Sequence, residues 1–332
     1  MLRVVVGVAG RFAAWCDAVT AALLARAGGG EADAFAADTL AELAAAALQR
    51  GSADAAVASR RPDGSLCAAL AEAGRRFVVA LDDPRLALAD RLIAAEAELA
   101  AAVAATASSC AAVAPCRDLP GALVLHADRD AADPAGAAAA IARHLRLDVA
   151  AAEIAAIVAD LAAAGVEPRP PDAATLWHAL DGEQQGLVTD ALAPYVHYFL
   201  GGALCHMIWR RDLFFIGDSP AERATRIIDI TGRARCLAHG PDILVAPGRW
   251  LVKVKLLFSR EACEHEFLVE LSAGRPLGAA TVKPEREGPA ELDFPVELDA
   301  AGNRPMTLRL SSRRAAFDGA TAIDVVFLYP QG

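Results

Sequence analysis

The first residues placed to do chemistry are Gly7-Val-Ala-Gly10-Arg11-Phe12. They follow the apolar run Val4-Val5-Val6 and open a helical pattern. Phosphate-binding loops sit at such a junction, because helix N-terminal amides and the helix dipole attract anions. Gly7 and Gly10 would let the backbone close on an anion, and Arg11 would add charge. A nucleotide-triphosphate loop also needs a lysine on the β/γ-phosphates and a Ser or Thr hydroxyl on magnesium. No lysine precedes Lys253, so an ordinary kinase or NTPase is excluded. The same glycines also read as a plain turn between strand and helix.

Other reactive side chains are scattered. His126 ends a strand signal, where α/β proteins place ligand groups, and is the candidate general base for deprotonating a hydroxyl. A histidine there can equally be a structural hydrogen-bonder. Asp128, Asp130 and Asp133 lack the glycine and bidentate glutamate of a calcium loop and read as turn and helix cap. His197 and His206 stand nine residues apart, which is no metal-ligand spacing. The seven cysteines are Cys16, Cys67, Cys110, Cys116, Cys205, Cys236 and Cys263. With an odd number and no CxxC, they signal neither a disulfide framework nor a zinc site and read as buried free thiols.

The elements that must hold these residues change style along the 332 residues. Strand signals at 2–7, 55–59, 77–81 and 122–126 alternate with helical patterns at 12–27, 39–49, 65–73, 86–113, 134–145, 149–164 and 183–200. Short apolar strands between helices imply a parallel sheet covered on both faces. After Gly201-Gly202 the chain turns to short β runs at 212–216, 225–230, 242–245, 250–258, 266–271, 290–298, 306–311 and 323–328. These imply a β-sandwich, jelly-roll-like in class. The expected domains are therefore 1–202, α/β, and 203–332, all-β. The stiff segment Glu167-Pro-Arg-Pro-Pro171 is not read as the linker, because a helix follows it.

Hydrophobic residues make up 55% of the chain, but alanine supplies most of the excess. No stretch is read as a membrane span, the opening residues are too short for a signal-peptide core, and a cytoplasmic location is expected. Residues 1–200 carry 25 acidic side chains against 15 arginines, while 201–332 carry 17 of each sign. An acidic first half has no phosphate-tracking stripe, so nucleic acid is not an expected partner.

Phe77-Val-Val-Ala-Leu-Asp82-Asp83-Pro84-Arg85, continuing to Asp90, resembles the sulfotransferase segment in which a strand runs into Arg-Asp-Pro-Arg and a serine follows. Leu123-Val-Leu-His-Ala-Asp128, then Asp133-Pro134, then 141–147 resembles the family's Tyr-Glu-Asp-Leu…Asp-Pro…Phe-Leu-Gly-Leu stretch. Trp177-His-Ala-Leu-Asp-Gly-Glu-Gln-Gln with Ala193-Pro-Tyr195 resembles its terminal helix. The resemblance covers about residues 1–200. It implies a donor site for 3′-phosphoadenosine 5′-phosphosulfate with Gly7, Gly10, Arg11 and Arg85 around it. This chain departs where it matters: Asp82 stands for the family's first arginine and Asp90 for its serine. Two phosphate ligands have become carboxylates, which repel a phosphate and donate no hydrogen bond. The expected protein is thus a catalytically degenerate sulfotransferase-like one, needing no cofactor and acting in binding or scaffolding, for example in surface-polysaccharide production. The alternative is an active sulfotransferase that uses the donor through an altered site on a glycan hydroxyl.

In the β half, Trp209, Phe214, Phe215, Trp250 and Tyr329 are candidates for stacking on sugar rings, or for the core. The Ala246-Pro-Gly-Arg-Trp250 turn into an alternating strand resembles carbohydrate-binding-module sandwiches. That resemblance implies a glycan or protein partner at the sandwich, or a second copy of the chain. Val252, Val254 and Leu256 should face the core, opposite Lys253 and Lys255.

Overall fold

The computed structural model describes all residues except 1, 51–53, 73, 96–97, 170–172, 218, 300–303 and 332. Strands β1 (Leu2–Gly7), β2 (Asp33–Ala36), β3 (Ala55–Ser59), β4 (Phe77–Leu81) and β5 (Ala122–His126) belong to the first half. With them run helices α1 (Arg11–Gly28), α2 (Leu40–Arg50), α3 (Gly64–Ala71), α4 (Pro84–Ala95), α5 (Leu99–Val113), α6 (Ala127–Asp130), α7 (Pro134–Leu145), α8 (Ala151–Ala163), α9 (Ala173–Ala179) and α10 (Gly182–Phe199). The chain forms two compact units, residues 1–97 with 109–180, and residues 98–108 with 181–332.

In the first unit the five strands pair in parallel in the order β2-β3-β1-β4-β5. β1 and β4 are interior strands and nearly continuous apolar runs, as a sheet covered on both faces requires; Val4, Val5 and Val6 and all of Phe77–Leu81 are buried. Helix α1 presents Phe12, Trp15, Val19 and Leu23 to a core shared with Val5, Val78, Ile141 and Leu145. The chain leaves β1 toward β2 and leaves β4 toward β5, so the sheet's switch point lies between the ends of β1 and β4. Open α/β sheets hold ligands there.

Gly7 is demanded by packing. A Cβ on it would lie 2.7 Å from the Ala13 Cβ and 2.9 Å from the Ala80 carbonyl oxygen. Both neighbours belong to regular elements that cannot retreat singly. Gly7→Ala is expected to cost about 1–3 kcal/mol of stability, read as the midpoint shift in urea unfolding; an unchanged midpoint would show that the approach of α1 and β4 to the end of β1 is not tight.

Several expectations are corrected. The helical pattern at 86–113 is two helices, α4 and α5. Alanine favours helix throughout and marks no break, so the division shows only in the partners each piece meets. Strand β2 has no strong apolar signal and forms by pairing Asp33–Ala36 with Ala55–Ala58 of β3. The segment Leu99–Asp118 is long and apolar enough to cross a membrane, contrary to the reading that no such stretch exists, but it is mostly buried inside the protein, as a core helix is. Pro170 and Pro171 of the stiff segment lie outside the described residues.

The second unit holds strands β6 (Met207–Arg210), β7 (Phe215–Ile216), β8 (Ser219–Arg223), β9 (Ile228–Asp229), β10 (Cys236–Ile243), β11 (Gly248–Phe258), β12 (Phe267–Ser272), β13 (Pro276–Val282), β14 (Gly288–Leu298), β15 (Met306–Ser312) and β16 (Ala320–Gln331). They form two antiparallel sheets, β13-β12-β15-β10-β7-β8 and β14-β11-β16-β6, with β9 on β16. Alternate residues meet between the sheets. Val252, Val254 and Leu256 are fully buried while Lys253 and Lys255 face outward, and Leu308, Leu310 and Val269 are buried on the other sheet. The rings of Phe258 and Phe267 lie 4.8 Å apart, one from each sheet. The expected strand at 242–245 lies earlier, as β10, and β6 and β13 lack the apolar alternation that would have marked them.

Helix α10 falls in this second unit, which takes residues 98–108 and resumes at 181, ahead of the change of composition at 202/203. Asp181 caps α10 by accepting from the Gln184 amide at 2.9 Å, and Gln184 accepts from the Asp181 amide in return. The helix is tied to β6 by Asp190, whose carboxylate takes Arg210 Nε at 2.6 Å. A composition change marks where the strands begin, not which core a neighbouring helix joins.

Candidate functional site

The crevice at the ends of β1 and β4 gathers Gly7, Gly10, Arg11, Asp82 and Asp90. The turn from β1 is short, and the amides of Val8, Ala9 and Arg11 are already engaged. Val8 N–H donates to the Ala80 carbonyl at 3.3 Å. Ala9 N–H donates to Ser109 Oγ at 3.2 Å, and that hydroxyl donates to the Arg60 carbonyl at 2.7 Å. Arg11 N–H donates to Asp90 Oδ2 at 2.7 Å, and Arg11 Nε lies 3.1 Å from Asp90 Oδ1. Helix α1 has no capping side chain of its own at Gly10. A carboxylate from α4 therefore occupies the place at the helix N-terminus where a bound anion would sit.

Asp82 follows β4 and is 4% exposed, and among the described residues no side-chain donor or cation is hydrogen-bonded to its carboxylate. It lies toward Gly10, where a Cβ would be 3.5 Å from Asp82 Oδ2. Burial first, then the charges of Asp90 and Asp83, push its pKa up to about 7. Burial also raises that of Asp90, opposed by the amide and guanidinium of Arg11.

Arg85 is engaged elsewhere. Its guanidinium is bidentate on Asp83, with Nε at 3.0 and 3.1 Å and Nη2 at 2.6 Å, and it lies 5.9 Å from the Trp177 ring centroid. His126 ends β5 in register with Leu81. Its amide donates to Asp130 Oδ2 at 2.6 Å, closing the turn into α6. Burial, then the charge of Arg129, lowers its imidazole pKa. Among the described residues no hydrogen bond or ion pair joins the His126 ring to Arg11, Asp82 or Asp90. Asp133 is the cap expected, accepting from Gly136 N–H at 3.0 Å. The sequence motif identified Arg11, Asp82 and Asp90; no signal in it shows that Asp90 closes on Arg11 or that Ser109 holds Ala9.

The second unit offers a different surface. Trp209, Phe214 and Trp250 are buried in the sandwich, so these three sugar-stacking candidates are core residues. Phe215 is half-buried, stacked on His239 at 5.7 Å and covered by the Arg223 guanidinium at 4.0 Å. Tyr329 remains on the outer face of the sheet β14-β11-β16-β6. Its ring lies 6.0 Å from Phe327, nearly parallel, and 5.9 Å from His206. Beside them Lys255 Nζ is 5.6 Å from the Phe327 centroid and 3.0 Å from Glu291, and Lys253 is 3.3 Å from Asp293. Phe327 was not singled out from the sequence, where it sits in an unbroken apolar run.

Phe327 also lines a groove of about 860 Å³ within this unit. Ile208 and Val325 also line it, with Asp181, Glu183, Asp190, Asp212, Asp324, Arg210 and Arg211. Arg223 and Glu98 line it too, the guanidinium bidentate on the carboxylate at 2.7 and 2.9 Å. Among the described residues no group of three or more His, Cys, Asp or Glu is arranged to hold a metal ion.

No family model matches this chain, and no curated protein matches it. Among solved structures it is similar to the CBM36-1 domain of a multidomain xylanase from the hindgut metagenome of Trinervitermes trinervoides. The identity is 15%, covering 38% of this chain and 98% of that one, with a TM-score of 0.28. It is similar to TmCBM61, solved with β-1,4-galactotriose, at 10% identity, covering 30% and 67%, with a TM-score of 0.23. The xylan-binding module CBM15 matches at 10% identity over 31% and 76%, with a TM-score of 0.25. These structure neighbours are carbohydrate-binding modules; at such scores they carry no assignment.

Proposed function

We propose that this chain is a non-catalytic binding or scaffolding protein that holds a polysaccharide segment on its β-sandwich unit, while its α/β unit keeps a sulfotransferase-like frame without the donor site. The observation that carries this reading is the outer face at Tyr329 and Phe327. Two nearly parallel aromatic rings flanked by lysines and carboxylates offer apolar planes for sugar rings and charged groups for their hydroxyls. The continuing groove is lined by both charged and apolar side chains, which suits a polyhydroxylated chain. The α/β unit supports the non-catalytic half of the reading, because Asp90 takes the amide and guanidinium of Arg11 that a donor phosphate would need.

The test is calorimetry and a glycan array on the whole chain. Binding to an oligosaccharide is expected, and Phe327→Ala and Tyr329→Ala should each weaken it about tenfold or more, since about 1.4 kcal/mol is a factor of ten. Adenosine 3′,5′-bisphosphate should give no heat, because each lost charge-assisted contact costs about 1.5–3 kcal/mol. No saccharide bound, or binding indifferent to both substitutions, would sink the sugar reading. Micromolar nucleotide binding would restore the alternative of an active sulfotransferase using 3′-phosphoadenosine 5′-phosphosulfate.

A further inference from the structure

The cysteines contain a pair that their spacing conceals. Cys67 stands in the first turn of α3, its amide donating to the Asp63 carbonyl at 2.9 Å. Cys116 lies in a 3₁₀ turn, Ala114–Asp118, that follows α5, and is fully buried. Their Sγ atoms are 3.3 Å apart, although 49 residues separate them. The other cysteines have no such neighbour among the described residues. Cys236 and Cys263 point their thiols at carbonyls of nearby residues, and Cys16 and Cys110 are buried.

We propose that Cys67 and Cys116 are a redox-active dithiol that closes to a disulfide when the chain meets a peroxide. The geometry assigns unequal roles to the two sulfurs. Cys67 is only partly buried and can be reached from outside. Cys116 cannot; either thiol can donate to the other, and an S–H donated from Cys116 would favour the Cys67 thiolate, the sense in which the Cys67 pKa is lowered and the partner's raised. The more acidic, accessible sulfur is the nucleophile and the buried one resolves it. The Cys67 thiolate attacks one oxygen of hydrogen peroxide. The O–O bond breaks, hydroxide leaves and takes up a proton to become water, and Cys67 is left as a sulfenic acid. The Cys116 sulfur then attacks the Cys67 sulfur, the S–S bond forms and the S–O bond breaks. The departing hydroxide takes the Cys116 proton and becomes a second water. Two thiols and one peroxide thus yield one disulfide and two waters. A bonded pair needs about 2.05 Å between sulfurs, so they must close by about 1.3 Å, within reach of side-chain rotation and a small shift of the short helix α3.

The full chain is treated with hydrogen peroxide or with dithiothreitol, unfolded, alkylated and analysed by intact and peptide mass spectrometry. Seven alkylated cysteines are expected after reduction and two fewer after peroxide, with the Cys67 and Cys116 peptides joined. In Cys116→Ser the crosslink should vanish, and dimedone should trap the sulfenic acid on Cys67. If that variant fails to fold, Cys67→Ser, on the more open helix, should keep all its remaining thiols through the same treatment. Seven free thiols after peroxide would overturn the proposal. So would a bond between any other pair, or a Cys67 oxidised to sulfinic acid with Cys116 still free.

Discussion

Asp82→Asn is expected to stabilise the protein at pH 8 and to change it little at pH 4. Asp82 is buried with no cationic partner among the described residues, and its pKa is raised from 3.8 to about 7, chiefly by burial and then by the charges of Asp90 and Asp83, against the Asp83 amide. Between those two values the folded chain binds a proton that the unfolded chain has released. Stability from this site is therefore complete below about pH 4 and falls as pH rises to about 7. The gap corresponds to about 4 kcal/mol at full ionisation; local relaxation would leave about 2–4 kcal/mol to be recovered by the amide. At about 2–4 °C per kcal/mol for a chain of this size, thermal unfolding followed at both pH values reads the effect. An equal shift at pH 4 and pH 8, or a loss at pH 8, would show that the Asp82 carboxylate has a partner in solution. Asp17 adds a slope of the same sign. Burial raises its pKa to about 6 although Arg60 pairs with it, and that slope should survive in Asp82→Asn.

Trp250→Ala should produce the largest loss, about 3–5 kcal/mol, the range for deleting a buried large aromatic. Trp250 is 1% exposed, and its Nε1–H donates to the Ala246 carbonyl at 2.9 Å, joining the Pro-Gly turn to β11. Removing the ring opens a cavity and also leaves a carbonyl without its donor. Trp250→Phe keeps much of the volume and loses the hydrogen bond, so a smaller loss of about 1–2 kcal/mol is expected. Chemical unfolding ranks the two. Trp250→Phe at the wild-type midpoint would refute the core placement. Trp250→Phe should also leave saccharide binding intact, which separates a core tryptophan from a stacking platform and so distinguishes this site from Phe327 and Tyr329.

The pattern of local residues was enough to call for a parallel α/β half and a β-sandwich half, for the strand-to-helix turn at Gly7–Gly10, and for opposite faces at Val252, Val254, Leu256 and at Lys253, Lys255. Each of these rests on periodicity or on a turn residue, and periodicity is a property of neighbours in the chain. The composition change at Gly201 was visible for the same reason. The strand order β2-β3-β1-β4-β5, the break between α4 and α5, and the place of α10 with the second unit were not. They follow from which distant surfaces meet, and alanine, which suits any helix, leaves the choice to packing. The candidate site divides along the same line. Arg11, Asp82 and Asp90 were legible as residues, but only folding brings Asp90 across 79 positions to the amide and side chain of Arg11, and buries Asp82 with no cationic partner among the described residues. Phe327 and Tyr329 stay on an outer face, while the equally aromatic Trp209, Phe214 and Trp250 are sealed between sheets. Cys67 and Cys116 meet because the turn after α5 is carried back to α3. Hydrogen bonds, ion pairs and thiol contacts reach only a few ångströms, so a chain's spacing cannot announce them until its topology has made them neighbours.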